Sequence, residues 1–319
     1  MLYNINNIKG SEMNEINVVK TYTNGEIALC NLASINLHEY DQLSDTEKYN
    51  LVYDIINTMD NTIDLAYYMV KDAQTANKKY RYLGIGVSNL AVLLAKHKIT
   101  IDSQESLEFQ AKLFDELLYN CVKASMQLAI EKGRAEGFSE TKWAKGLYPY
   151  LIGNEKAKKL IQFKPDENKW NKLMEDVKKY GMRNCALMAI APTATSGRSI
   201  NASESIEPIQ KLLYKEDGNI NVKTLAPMFK EYNKYYKLAQ ECDPMMLIKA
   251  AAVRQLFLDQ SQSVNMYSYT FNGELNYIQK SSHKLSLLHM YAHQLGLKTL
   301  YYFKSEKDNG VEHECESCS

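Results

Sequence analysis

SVNMYSYT (residues 263–270), ELNYIQKSSHKLSLLHMYAHQLGL (274–297) and KTLYYF (298–303) follow one another near the end of the 319-residue chain. The outer two are short and rich in aromatic and β-branched residues, which suit a pleated surface, and the middle one is long enough for a helix. Strand, helix and strand in that order make a β-α-β unit, which requires two parallel strands and a right-handed crossover.

Working upstream, the same alternation recurs. PMMLIKAAAVRQLFLDQ (244–260) reads as a helix, and CALMAI (185–190) as a strand leading straight into APTATSGRS. A helix carrying Trp170, Leu173, Met174 and Val177 ends near Gly181, and a longer one runs from about Asp102 to Lys132 with Gly133 as its stop. Between Gly133 and Lys169 the pattern breaks into short pieces with Trp143, Tyr148, Pro149, Tyr150 and Pro165, read as surface excursions. RYLGIGVSNLAVLLA (81–95) reads as an apolar helix entered through glycines. Ser44 and Glu47 form a capping box ahead of a helix with Val52, Ile55, Ile56, Met59, Ile63, Ala66 and Val70 on one face. GEIALCNLASINL (25–37) reads as a half-buried strand with Cys30 at its centre, and residues 1–24, polar and without periodicity, as a partly ordered lead-in. No repeat interrupts this order. Strands followed by long helices point to an α/β barrel or an open parallel sheet, with sites at the carboxyl ends of the strands.

Composition narrows the function. With 45% hydrophobic residues the chain can bury a sizeable core, and 38 basic against 38 acidic residues leave no net charge for a non-specific grip on nucleic acid or an anionic membrane. No apolar run approaches a membrane span, and the opening MLYNINNIKG lacks the core of a secretory signal, so a cytoplasmic location is expected. Six cysteines without a secretory context suggest redox or metal chemistry rather than a disulfide framework. Cys121 and Cys185 fall in apolar runs and read as core; Cys242 lies in a polar segment that offers no other ligand.

Three stretches and one dipeptide could carry chemistry. Gly84-Ile85-Gly86-Val87-Ser88-Asn89 is close to a dinucleotide fingerprint, but Asn89 stands at the third glycine position and KKYRYL before it is no buried strand, so helix entry is the reading. Pro192-Thr193-Ala194-Thr195-Ser196-Gly197 could aim backbone N–H groups and hydroxyls at an anion, phosphate above all; a strand-to-helix turn capped by Thr or Ser would look the same. The tail EKDNGVEHECESCS (306–319) carries Cys315 and Cys318 as C-x-x-C behind a polar segment expected to be mobile. Redox exchange suits that dithiol better than zinc, for which His313 is the only obvious third ligand; Glu312, Glu314 and Glu316 should raise the thiol pKa. Tyr301 and Tyr302 are either packing aromatics on opposite faces of a strand or a pair serving one electron path, the second requiring the strand to end or bulge there.

Taken together, GEIALCNLASINL, RYLGIGVSNLAVLLA, APTATSG with the following NASESIEP, and LKTLYYF ending in C-x-x-C resemble the C-terminal half of the large, catalytic subunit of class I ribonucleotide reductase. The resemblance implies the C-terminal half of a ten-stranded α/β barrel over residues 25–303, long helices packed outside, and a mobile redox tail over 304–319. It implies that Cys30 is one cysteine of the active-site redox pair and that Pro192, Thr193, Ala194, Thr195 and Ser196 hold the substrate phosphates. It further implies that Tyr301 and Tyr302 relay the radical and that Cys315 and Cys318 re-reduce the active-site disulfide. The implied reaction is reduction of the 2'-hydroxyl of ribonucleoside diphosphates, feeding deoxyribonucleotide synthesis. The implied partners are the small subunit, whose metal centre supplies the radical, and thioredoxin or glutaredoxin as reductant; no cofactor is bound directly.

One departure stands out: the family's thiyl-radical cysteine, in an N-x-C-x-E segment, should precede Cys30, and residues 1–29 contain no cysteine. The first redox cysteine, the specificity site and the ATP-binding region should also lie upstream. A split large subunit, inactive without a separate N-terminal fragment, is therefore expected. The competing expectations are a non-catalytic remnant that binds the partner subunit or thioredoxin, and a zinc module built on His313, Cys315 and Cys318.

Overall fold

The computed structural model describes residues 25–216, 222–271, 274–275 and 282–306. Its strands are β1 (Leu32–Asn36), β2 (Gly84–Ser88), β3 (Leu213–Glu216), β4 (Val222–Leu225), β5 (Met266–Phe271), β6 (Glu274–Leu275) and β7 (Phe303–Glu306). Its helices are α1 (Leu37–Tyr40), α2 (Asp45–Leu65), α3 (Lys71–Tyr80), α4 (Leu90–Lys96), α5 (Gln104–Lys132), α6 (Glu155–Lys158), α7 (Glu167–Tyr180), α8 (Ala194–Ser199), α9 (Phe229–Tyr232), α10 (Pro244–Gln255) and α11 (Ser282–Gln294).

Five extended segments, β1, β2, 186–190, 260–271 (which includes β5) and β7, lie side by side in chain order, all parallel. β1 pairs with β2 from Leu32 opposite Gly84 to Asn36 opposite Ser88. β2 continues onto residues 186–190: the Leu83 and Ile85 amides donate to the Ala186 and Leu187 carbonyls at 3.0 and 2.7 Å, and Ile85 faces Met188 in parallel. That segment is bonded in turn to residues 260–263, with the Ile190 amide donating to the Ser261 carbonyl at 3.1 Å and the Ser263 amide to the Ile190 carbonyl at 2.8 Å. β5 pairs in parallel with β7, so the β-α-β unit expected at 263–303 is present. Its helix is shorter than expected, because Glu274 and Leu275 pair antiparallel with β5 and α11 starts at Ser282. Successive parallel neighbours, each reached through helical chain, are what an α/β architecture requires.

β2 corrects the sequence reading, which took GIGVS for the entry of a helix. All five residues are buried. A Cβ on Gly84 would lie 2.5 Å from Leu32 Cδ2, and one on Gly86 would lie 2.8 Å from the Ala189 carbonyl oxygen. The glycines therefore let a central strand approach both neighbours, a role with no hydrophobic alternation to announce it. Cys30 is corrected as well: it lies two residues before β1, exposed, and not in mid-strand.

α5 packs against α2, α7 and α10. It buries Leu107, Phe114, Leu118 and Cys121 among others, and Gly133 ends it at φ 87°. The Ser44–Glu47 capping box opens α2 as expected. The apolar face of α2 stops sooner: the helix ends at Leu65, where the Tyr68 hydroxyl donates to the Ile63 carbonyl at 2.6 Å, so Ala66 and Val70 lie outside it. Residues 133–169 are surface excursions only in part. Trp143 and Tyr148 are core residues, and Tyr148 stacks on Trp170 with centroids 4.5 Å apart. Cys242, expected in a polar segment, is buried with its thiol donating to the Leu238 carbonyl. Among the described residues no helix is long and apolar enough to cross a membrane.

Candidate functional site

The chain after residues 186–190 turns at Pro192 into α8, whose first-turn amides have no partner within the helix. Thr195 and Ser196 are exposed there, whereas Thr193 is buried and its hydroxyl accepts from the Ser205 amide at 2.7 Å. Of the expected phosphate-holding residues, Thr195 and Ser196 thus present hydroxyls outward, and Thr193 fixes the return of the loop.

That return, residues 203–207, runs as a strap across the ends of the parallel segments. The Ser203 amide donates to Asn89 Oδ1 at 2.6 Å, and the Asn89 amide donates back to the Ser203 carbonyl at 3.0 Å. Asn89 Nδ2 reaches Asn36 Oδ1 at 2.8 Å, at the end of β1. Two residues on, the Ser205 amide takes Thr193. After two more, Glu207 Oε1 accepts from the Asn265 amide at 3.2 Å, while Asn265 Oδ1 accepts from the Tyr302 amide, also at 3.2 Å. Residues 203, 205 and 207 therefore tie successive members of the array together, with a turn at 205–206 between them. The Ser203 and Ser205 hydroxyls are buried without hydrogen-bond partners, so these two residues are held through their backbone.

Asn89, Asn201 and Ser205 all have positive φ, at 68°, 53° and 42°. Asparagine is, after glycine, the residue most at ease in the left-handed region. The departure at Asn89 from a third glycine was thus the legible signal of this tie, and the sequence reading passed over it. Glu207 was also missed. It is buried, takes a hydrogen bond from the Tyr267 hydroxyl, and burial pushes its pKa up to about 7. Glu207 and Arg254 line one small cavity, and Arg254 is bonded to Gln262 Oε1 at 3.0 Å and Gln110 Oε1 at 2.5 Å. Burial lowers its pKa to about 10, which leaves it charged at neutral pH.

Tyr301 and Tyr302 enter β7 with ring centroids 4.0 Å apart and planes tilted by 47°. Both are more than a third exposed. The strand begins only at Phe303, which meets the condition for two neighbouring phenols to share one side. Cys30 stands apart from this group, at the opposite end of β1 from Asn36 and at most about 20 Å away along the chain. Its approach is fixed by α3: Glu26 pairs with Lys79 at 2.9 Å, the Ile27 amide donates to the Asp72 carbonyl, and Asn31 bonds Asn77 at 2.7 Å. Cys315 and Cys318, with His313, lie outside the described residues. Among the described residues no cluster of His, Cys, Asp and Glu could hold a metal ion.

The family model of the ribonucleotide reductase barrel domain matches residues 5–303. The chain is 36% identical over 299 residues to ribonucleoside-diphosphate reductase subunit alpha of Helicobacter pylori (strain J99), an alignment that takes in 90% of this chain and 36% of that protein. It is 32% identical over 294 residues to the subunit of the same name from Treponema pallidum, covering 91% and 32%. Against that of Buchnera aphidicola from Acyrthosiphon pisum it is 32% identical over 314 residues, covering 93% and 40%. The chain spans roughly a third of the length of the first two of these relatives.

Proposed function

The chain belongs to the ribonucleotide reductase barrel-domain family, and from that premise we propose that it supplies the C-terminal part of the catalytic barrel of a ribonucleoside-diphosphate reductase. The observation that carries this reading is the Tyr301–Tyr302 pair, two half-exposed phenols 4.0 Å apart beside the strap from the 192–196 loop. Core packing alone does not require that arrangement.

In this reading the five parallel segments form half of a ten-stranded barrel, and the other strands come from residues outside these 319. Exposed Ile27, Leu29 and Leu32, at the β1 edge, are the apolar surface those residues would cover. Thr195, Ser196 and the first-turn amides of α8 hold the substrate diphosphate. Tyr302 and Tyr301 carry the radical, which the small subunit's metal centre would supply, to a cysteine absent from this sequence. The substrate's 2'-hydroxyl leaves as water while Cys30 and a second cysteine give up two electrons and form a disulfide. Cys315 and Cys318 reduce that disulfide by thiol exchange, and thioredoxin or glutaredoxin reduces the tail.

The test is reconstitution. The full chain is combined with an N-terminal alpha-subunit segment carrying N-x-C-x-E and with a small subunit, and deoxyribonucleotide formation is assayed. Product is expected from the complete mixture only, and Tyr302→Phe should abolish it. Turnover by the chain alone, or undiminished turnover in Tyr302→Phe, contradicts the reading.

A further inference from the structure

We propose that Glu207 is a positioning residue that holds Tyr302 in register with the strap of residues 203–207, acting through Asn265. The connection is short and continuous: one carboxyl oxygen accepts from the Asn265 amide, and the Asn265 side chain accepts from the Tyr302 amide, each at 3.2 Å. The other carboxyl oxygen accepts from the Tyr267 hydroxyl on β5, the strand paired with β7. Glu207 therefore grips both the residue that fixes Tyr302 and the strand beside it.

The surroundings make the grip depend on protonation. Glu207 is 5% exposed. The ionisable groups that face it are Tyr267 on β5, Lys304 on β7, Arg254 on α10 and Glu204 two residues before it. Lys304 is 3.7 Å from Glu204, so its charge is shared between the two acids. Glu207, Arg254, Val264 and Asn265 all line a cavity of about 10 Å³, about the smallest that accommodates one water. Burial favours the neutral acid, whereas Lys304 and the two hydrogen bonds favour the carboxylate, and the balance falls near neutrality. The neutral acid offers a weaker acceptor to Asn265 than the carboxylate does, so loss of the proton tightens the link to Tyr302.

The meaning for catalysis rests on the radical-transfer reading above, but the test does not use turnover. 4-Fluorophenylalanine placed at 302 in the full chain reports the ring's surroundings by fluorine NMR and does not titrate itself. The same label at 148, in the Trp170 stack, is the control. The resonance at 302 is expected to titrate with a midpoint near pH 7, whereas the control responds only to Asp115, which accepts from the Trp170 indole and titrates at about 6, and is unchanged by Glu207→Gln. Glu207→Gln, which keeps an acceptor but fixes it neutral, should abolish that titration without broadening either signal. Asn265→Ala should also abolish it. Glu207→Ala should shift or broaden the signal at 302 alone. Should Glu207→Ala fail to fold, the Glu207→Gln series decides. A signal at 302 that ignores pH, or a titration that survives Glu207→Gln, overturns the proposal and leaves the reductase reading standing; failed reconstitution does the reverse.

Discussion

At Asn89 one side chain joins β1 to the strap while its backbone sits at φ 68°. Two contributions can be separated by substitution. Asn89→Gly keeps the left-handed backbone at no steric cost but loses both side-chain hydrogen bonds, about 2 kcal/mol. Asn89→Ala loses the same bonds and adds about 1 kcal/mol of left-handed strain. Denaturant midpoints should therefore fall in the order wild type, Gly, Ala, and equal values for the two variants would refute the backbone term. Asp60, wholly buried on α2, is a second residue of this kind. It accepts from Arg81 Nε at 2.6 Å and Arg183 Nε at 3.0 Å. Asp60→Ala leaves Arg81, itself 4% exposed, short of a counter-charge and should cost about 3–5 kcal/mol by urea unfolding. A loss below about 1 kcal/mol would show that Asp64, 2.8 Å from Arg81, suffices alone.

Among the elements, β2 decides how closely the parallel segments approach. Gly86→Ala drives a methyl to 2.8 Å from the Ala189 carbonyl, and since that atom is backbone the strands must part. A loss of about 1–3 kcal/mol is expected by chemical denaturation, and an unchanged midpoint would contradict the packing. This element also marks where sequence stops being informative. The amphipathic helices α2, α5 and α7 were legible from their periodicity and stops, as was the β-α-β unit, because each has one wet face and one dry. β2 is buried on both faces and two of its five residues are glycine, so neither alternation nor propensity marks it. The 3-10 and irregular surroundings of Trp143 and Tyr148 have no period, and only their burial, with Tyr148 stacked on Trp170, reveals that they are core. In the site, the loop 192–196 and the tyrosine pair could be picked out by residue type. The strap could not, because its bonds join residues separated by up to 114 positions.

On the scale of the whole molecule, acid groups perturbed in opposite directions shape stability against pH. Burial raises Glu207 to about 7 and Asp115 to about 6, above the ordinary carboxylate range. The folded chain thus keeps protons that the unfolded chain has lost, and stability declines as pH rises from about 4.5 to about 7. Glu26 and Asp64, held down by Lys79 and Arg81, act at lower pH: their contribution is present above about 4 and is lost as pH falls. Glu207→Gln should match wild type near pH 5 and exceed it by about 2–3 kcal/mol at pH 8 in urea unfolding. A constant difference between the two at all pH values would assign no titration to Glu207.

The central claim is that Cys30 is oxidised when a ribonucleotide is reduced. The direct measurement is peptide mapping of the reconstituted enzyme after one turnover without external reductant, with Cys315 and Cys318 replaced by serine so that the tail cannot repair the site. The expected result is deoxyribonucleotide formed together with a disulfide linking Cys30 to a cysteine of the complementing segment, in equal amounts. Product formed while Cys30 remains a fully alkylatable thiol would contradict it.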